Sequence, residues 1–186
     1  MLLKAFAMQP EEALAILYDV HEMLPTLGRP SSIGPWTLAT LAAEAVGLVH
    51  DTEAARVLHP LVVEALATGT RMRQYDGRLI ETAAGMVAAS AGLADEAEEH
   101  FEAALHEADE LPHLMERPHV RHFFGRFLVE RSGGADEERG RVLLQEAVAG
   151  YRSIGMPRHE AMAKALLARL ELRGRLGKHR ATAHSH

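Results

Sequence analysis

Twelve histidines are spread along this chain, and two of them close a Glu-x-x-His pair, Glu110 with His113 and Glu116 with His119. In di-iron bundles two such pairs project from facing helices, so that carboxylate and imidazole converge on metal. Here Pro112 and Pro118 interrupt both stretches, and the two pairs lie on one connection rather than on two helices. His119 and His122, at i and i+3, share a helix face, but the sequence identifies no third ligand for them. His184 and His186 lie in a C-terminal tail, where metal would bind only adventitiously. Ser90 and Ser153 fall on helical segments with neither a strained turn nor an evident base, which argues against a hydrolase triad. No catalytic residue, metal or cofactor is assigned on this basis, and a histidine-metal enzyme is the remotest of three functional readings.

Composition narrows the classes further. The absence of cysteine excludes thiolate metal sites and a disulfide framework. With 47% hydrophobic and 25% charged residues the chain reads as soluble and folded, and a net charge of −6 argues against direct nucleic-acid binding. No run of about 18 apolar residues is present to span a membrane. The start MLLKAFAMQPEE has too short an apolar segment for a secretory signal, so a cytoplasmic location is expected. Residues 95–110 are rich in carboxylates and hold no Lys or Arg, whereas Arg169, Arg173, Arg175, Lys178 and Arg180 gather near the C-terminus. A solvated acidic face and basic residues matched to a helix C-terminus explain this segregation; contact with a basic partner, or between copies head to tail, is the alternative.

The elements that must position any site are helices. Apolar periodicity predicts helices over 10–24, 35–50, 51–68, 76–91, 94–110, 118–132, 136–154 and 158–175, separated by Gly and Pro signals. No period-two run long enough for a strand is present, and the fold class is all-α. Pro60 falls inside 51–68 and must either kink that helix or end it near His59.

A shift of 43 residues aligns several positions at once. It relates Ala54, Ala97 and Gly140, then Leu58, Phe101 and Leu144, then Val62, Leu105 and Val148, and also the breakers Gly69, Pro112 and Gly155. Each unit reads as helix A, a tight turn and helix B, an antiparallel hairpin. Gly85 lies inside a helix, where glycine costs about 1 kcal/mol relative to alanine. A close helix crossing explains it: Gly85 and Ala97 let the backbones approach, Phe101 fills the space one turn along, and Ala104 meets the next unit.

Gly85, Gly92, Ala97, Phe101 and Ala104 match the order and spacing of the tetratricopeptide repeat, which this arrangement resembles. Ala42 and Leu128 stand where neighbouring units would carry the helix-A glycine, Gly140 replaces the helix-B alanine, and the period exceeds the family's usual length of about 34. The stretches GLADEAEEHFEAALHEADEL and LLQEAVAGYRSIGMP look more specifically like the helical C-terminal regions of LuxR-type transcriptional regulators and of multidomain class III adenylyl cyclases, over residues 36–172. The resemblance implies a right-handed α-α superhelix, a solenoid of antiparallel hairpins forming one domain over residues 1–175. The hairpins are 35–68, 76–110 and 118–154, helix 158–175 is a cap, and 176–186 is a flexible tail. No phosphate loop is present and no helix-turn-helix follows residue 175, so the larger relatives' activities do not carry over.

What the resemblance implies for function is a non-enzymatic arm that binds a protein or peptide in a concave groove lined by helix A, in a signalling or transcription-regulator system. Carried over by position, the groove holds Trp36, Ala39 and Ala43; Leu79, Thr82, Met86 and Ala89; and His122, Gly125 and Val129, with Trp36, Leu79 and His122 one period apart. Arg121 and Arg126 flank this line with forks suited to a carboxylate. Trp36 follows Pro35 at a helix start, where packing accounts for a tryptophan as readily as binding. Helix 10–24 carries Ala13, Leu17 and Val20 at helix-B spacing but has no helix A. It either caps its own chain or serves as an open end for homo-oligomer formation, the second functional reading.

Overall fold

The computed structural model describes residues 1–131 and 134–183, with side chains as far as residue 175. Among the described residues the elements are the α-helices α1 (Leu2–Phe6), α2 (Pro10–Val20), α3 (Ile33–Val49), α4 (Thr52–Ala67), α5 (Ile80–Ala91), α6 (Ala94–Glu110), α7 (Glu116–Arg131), α8 (Gly134–Ser153) and α9 (Pro157–Ala183), with a 3₁₀ turn at His21–Met23. The protein is all-α, and Met72 and Leu79 form an isolated antiparallel bridge. The chain divides into two compact units, Met1–Glu110 and Leu111–His186, where the sequence suggested one repeat domain. The division falls at the non-helical residues around Pro112, which break the helical ladder between α6 and α7.

In the first unit α3 packs on α4 and α5 on α6, the two expected hairpins, and α5 also packs against both α3 and α4. Their shared core includes Ala39, Val46, Leu58, Val62, Ala84 and Val87. α2 is not an open helix B. The short α1 packs against both α2 and α3, and Ala13 and Leu17 on α2 are buried, so the N-terminal helices close over the first hairpin. In the second unit α7 packs on α8 and α8 on α9. Val129, Leu144 and Leu170 form one cluster there, and Ala147, Tyr151 and Ala163 another.

The 43-residue register is visible in the packing. Leu58, Phe101 and Leu144 are all buried, as are Leu61, Ala104 and Ala147. Val62 is buried but Leu105 and Val148 only partly, so that third alignment is looser. The crossings differ in kind. A Cβ at Gly85 would stand 2.8 Å from the Phe101 ring, so the missing side chain makes room for an aromatic ring. Between α7 and α8 the approach is backbone to backbone: a Cβ at Gly125 would lie 2.9 Å from the Gly140 carbonyl oxygen, and one at Gly140 2.8 Å from that of Gly125.

Helix ends depart from expectation for identifiable reasons. α3 and α7 start two residues before Pro35 and Pro118, because proline is tolerated throughout a first turn whose N–H groups lack intrahelical acceptors anyway. α4 begins at an Asp51 cap, whose carboxylate accepts from the Ala54 N–H at 2.8 Å, and runs unbroken through Pro60. α5 begins at Ile80 rather than 76. Residues 71–79 instead form a loop closed by Arg73 N–H to Arg78 carbonyl and Ile80 N–H to Arg71 carbonyl, each 2.9 Å. α9 continues to Ala183, through most of the stretch expected to be a flexible tail. Its Leu, Lys, Arg and Ala residues are good helix formers, and Gly174 and Gly177 alone do not stop it. His184 and His186 lie outside the described residues.

Candidate functional site

The strongest concentration of buried charge in the first unit is anchored by a loop. Arg73, on the bridged loop before α5, is 4% exposed and reaches under α3. Its Nη2 donates to Glu44 Oε2 at 2.5 Å and to Asp76 Oδ2 at 2.6 Å, its Nε donates to Asp76 Oδ1 at 3.0 Å, and its Nη1 donates to the Thr40 carbonyl at 3.3 Å. Glu44 is the one charged residue of α3 and is 2% exposed. Burial by itself lowers an arginine pKa, but Glu44 and Asp76 outweigh it and hold Arg73 above its ordinary value. Burial likewise raises that of Asp76, and its hydrogen bonds to Arg73, with the guanidinium charge, bring it below the ordinary value. The cluster pins the loop to α3 as a permanent ion network.

Against this network lies a cleft lined by Trp36, Thr37 and Thr40 of α3, Ala65 at the end of α4, and Met72, Arg73 and Ile80. It offers about 40 Å³, far below the roughly 300 Å³ at which small-molecule pockets begin. Mostly apolar, it is sized for part of one side chain rather than for a cofactor. Trp36 is half-buried on its wall.

The sequence-selected residues divide between the units. Trp36, Leu79, Thr82 and Met86 belong to the first, and Arg121, His122 and Arg126 to the second. Of these only Trp36 lines the cleft. Leu79, Thr82, Met86 and His122 are buried, at 3% exposed or less, which corrects their placement along an open groove. Leu79 is the residue before α5, held in the bridge to Met72. Met86 packs on Gly47, where a Cβ would stand 2.6 Å from its own. Trp36, Leu79 and His122 thus occupy three different settings: the first turn of α3, the N-cap of α5 and the interior of α7. Arg121 donates to Glu146 at 2.8 Å and to the Arg117 carbonyl at 3.2 Å. Arg126 pairs with Glu130 at 3.6 Å over the Phe123 ring. Both forks are engaged within the unit.

Two histidine clusters accompany these residues. In the second unit His122 stacks on Phe123, with ring centroids 4.6 Å apart, and its Nδ1 lies 3.4 Å from the Tyr151 hydroxyl. His119 meets the same Phe123 ring edge-on, and His159 of α9 lies 5.2 Å from the Tyr151 ring. Burial first, then the charges of His119, Arg126 and His159, push the His122 pKa well below its ordinary value. In the first unit His59 of α4, Glu81 of α5, and Glu96 and His100 of α6 converge. His100 Nδ1 lies 2.6 Å from Glu81 Oε2, and His59 Nε2 lies 3.4 Å from Glu96 Oε2. Burial lowers the His59 pKa, Glu96 partly opposes the shift, and His100 adds to it. Among the described residues no group of three or more His, Asp or Glu is placed to hold a metal ion, and no helix is long and apolar enough to cross a membrane.

Sequence reasoning missed the Arg73 network. Its signal was present: Glu44 as the one charged residue of α3, and Asp76-Gly77 marking a turn just after Arg73. Comparison with protein-family models, curated proteins and solved structures finds no match to this chain.

Proposed function

We propose that the chain is a non-enzymatic scaffold of tetratricopeptide-like hairpins that binds a protein or peptide, as the regulatory arm of a signalling or transcription-regulator system. The observation that carries the binding reading is the Trp36 cleft, apolar, about 40 Å³, and backed by a fixed ion network. A rigid aromatic wall beside a side-chain-sized recess suits a protein partner's anchoring residue. The hairpin pairing and the buried Leu58, Phe101 and Leu144 support the repeat reading. The sequence resemblance over residues 36–172 supports the regulatory assignment.

The test is affinity capture from the native cell extract with wild type and Trp36→Ala of equal helicity. The expected outcome is a specific protein retained by the wild type and lost by the variant, and quenching or shift of the single tryptophan's fluorescence when that protein is added. Capture unaffected by the substitution would remove the cleft from the function.

A further inference from the structure

The first unit holds a larger cavity than the Trp36 cleft. Between the end of α2 and the first turns of α4 runs a groove of about 490 Å³, floored by Leu17, Leu24 and Leu58. Large apolar side chains stand up beside it: Tyr18 is 61% and Val57 62% exposed. His21 Nδ1 donates to the main-chain carbonyl of Tyr18 at 2.5 Å, at the C-terminal end of α2. Glu53 and Arg56, both exposed, lie on the same stretch of α4 lining the groove. Among the described residues neither has an ion-pair partner, and both are left facing solvent.

A two-fold interface places a patch against its own copy, so the patch must carry both a projection and its receptor, and both signs of charge. This patch does: Tyr18 and Val57 project, Leu17, Leu24 and Leu58 recede, and Glu53 and Arg56 supply opposite charges one helical turn apart. An apolar centre rimmed by charge is also the ordinary anatomy of a protein interface. We propose that a second copy of this chain docks on the α2–α4 groove. Each Tyr18 ring seats in the other copy's groove, and Glu53 of each copy meets Arg56 of the other. The proposal goes beyond the scaffold reading and does not depend on it.

Sedimentation equilibrium of the full chain over a concentration series tests it. The expected result is a mass rising from 20.4 kDa to twice that value and no further. Val57→Asp, at an exposed position, stays monomeric with unchanged helicity; should that variant lose helicity, Tyr18→Asp decides in its place. Glu53→Arg alone, or Arg56→Glu alone, sets like charges against each other in both symmetric pairs and weakens association about tenfold, equivalent to about 1.4 kcal/mol. The double exchange Glu53→Arg with Arg56→Glu restores it. A wild type that stays monomeric at about 100 μM overturns the proposal. So does assembly beyond two copies, a dimer indifferent to the groove substitutions, or a double exchange that fails to rescue.

Discussion

Glu44 shows what a single buried charge demands. At 2% exposure its carboxylate is held by Arg73, and Arg73 in turn by Asp76. Removing one partner of a buried pair leaves an uncompensated charge, which typically costs about 3–5 kcal/mol. Arg73→Met, which strips buried Glu44 of its cation, is therefore expected to lower stability by that order, while Glu44→Met combined with Arg73→Met recovers much of the loss; urea unfolding of both variants measures the difference. His122 carries a second expectation. Burial and the neighbouring His119, Arg126 and His159 depress its pKa from the ordinary 6.5, so the unfolded chain binds a proton near that pH which the folded chain does not. Stability is full above about pH 6.5 and falls as the pH drops below it, by about 1.4 kcal/mol per pH unit for each such histidine. His59 acts in the same direction. Unfolding free energies at pH 7.5 and 5.5 give the slope, and His122→Asn should flatten it by the share of one proton. A slope equal in variant and wild type would assign the acid sensitivity elsewhere.

At the scale of elements, the two glycine crossings should respond differently to the same methyl group. At Gly85 the obstacle is the Phe101 ring, a side chain that can tilt; at Gly125 it is the Gly140 carbonyl oxygen, part of a packed helix. Gly125→Ala is expected to cost about 1–3 kcal/mol by overpacking. Gly85→Ala should cost less, because the Phe101 ring can tilt away where a helix backbone cannot; the gain of about 1 kcal/mol in helix propensity is common to both positions. Thermal unfolding of the two variants side by side ranks them, and the reverse order would contradict the assignment of ring and backbone contacts. The helix inventory was largely legible in the sequence, since apolar periodicity and Pro/Gly punctuation report local geometry directly. The loop at 71–79 was not. Its closure depends on Arg73 reaching Glu44, 29 positions earlier, and no local pattern announces such a partner.

At the scale of the whole molecule, the two compact units meet in sequence at residues 111–115, where Leu114 is 61% exposed. Exposed, irregular backbone is where proteases cut first. Brief chymotrypsin treatment is expected to cleave at Leu114 or Met115 and leave two helical fragments; first cuts within α4 or α8 would show that the units are less compact than their packing indicates.

The all-α class and the pairing of neighbouring helices into hairpins were written in the amino-acid sequence alone, because helix formation and antiparallel pairing across short turns depend on residues three to a few tens of positions apart. The apolar register at Leu58, Phe101 and Leu144 was readable for the same reason. Only the tertiary structure decided which of the helix-A residues are accessible. Thr82, Met86 and His122 share the spacing of groove residues, yet they are buried by neighbours that periodicity does not name. It also decided that α2 is covered by α1 and α3, and that Glu53 and Arg56 stand beside a groove without ion partners among the described residues. Exposure and charge pairing are properties of what surrounds a residue, and those surroundings exist only once the chain has packed.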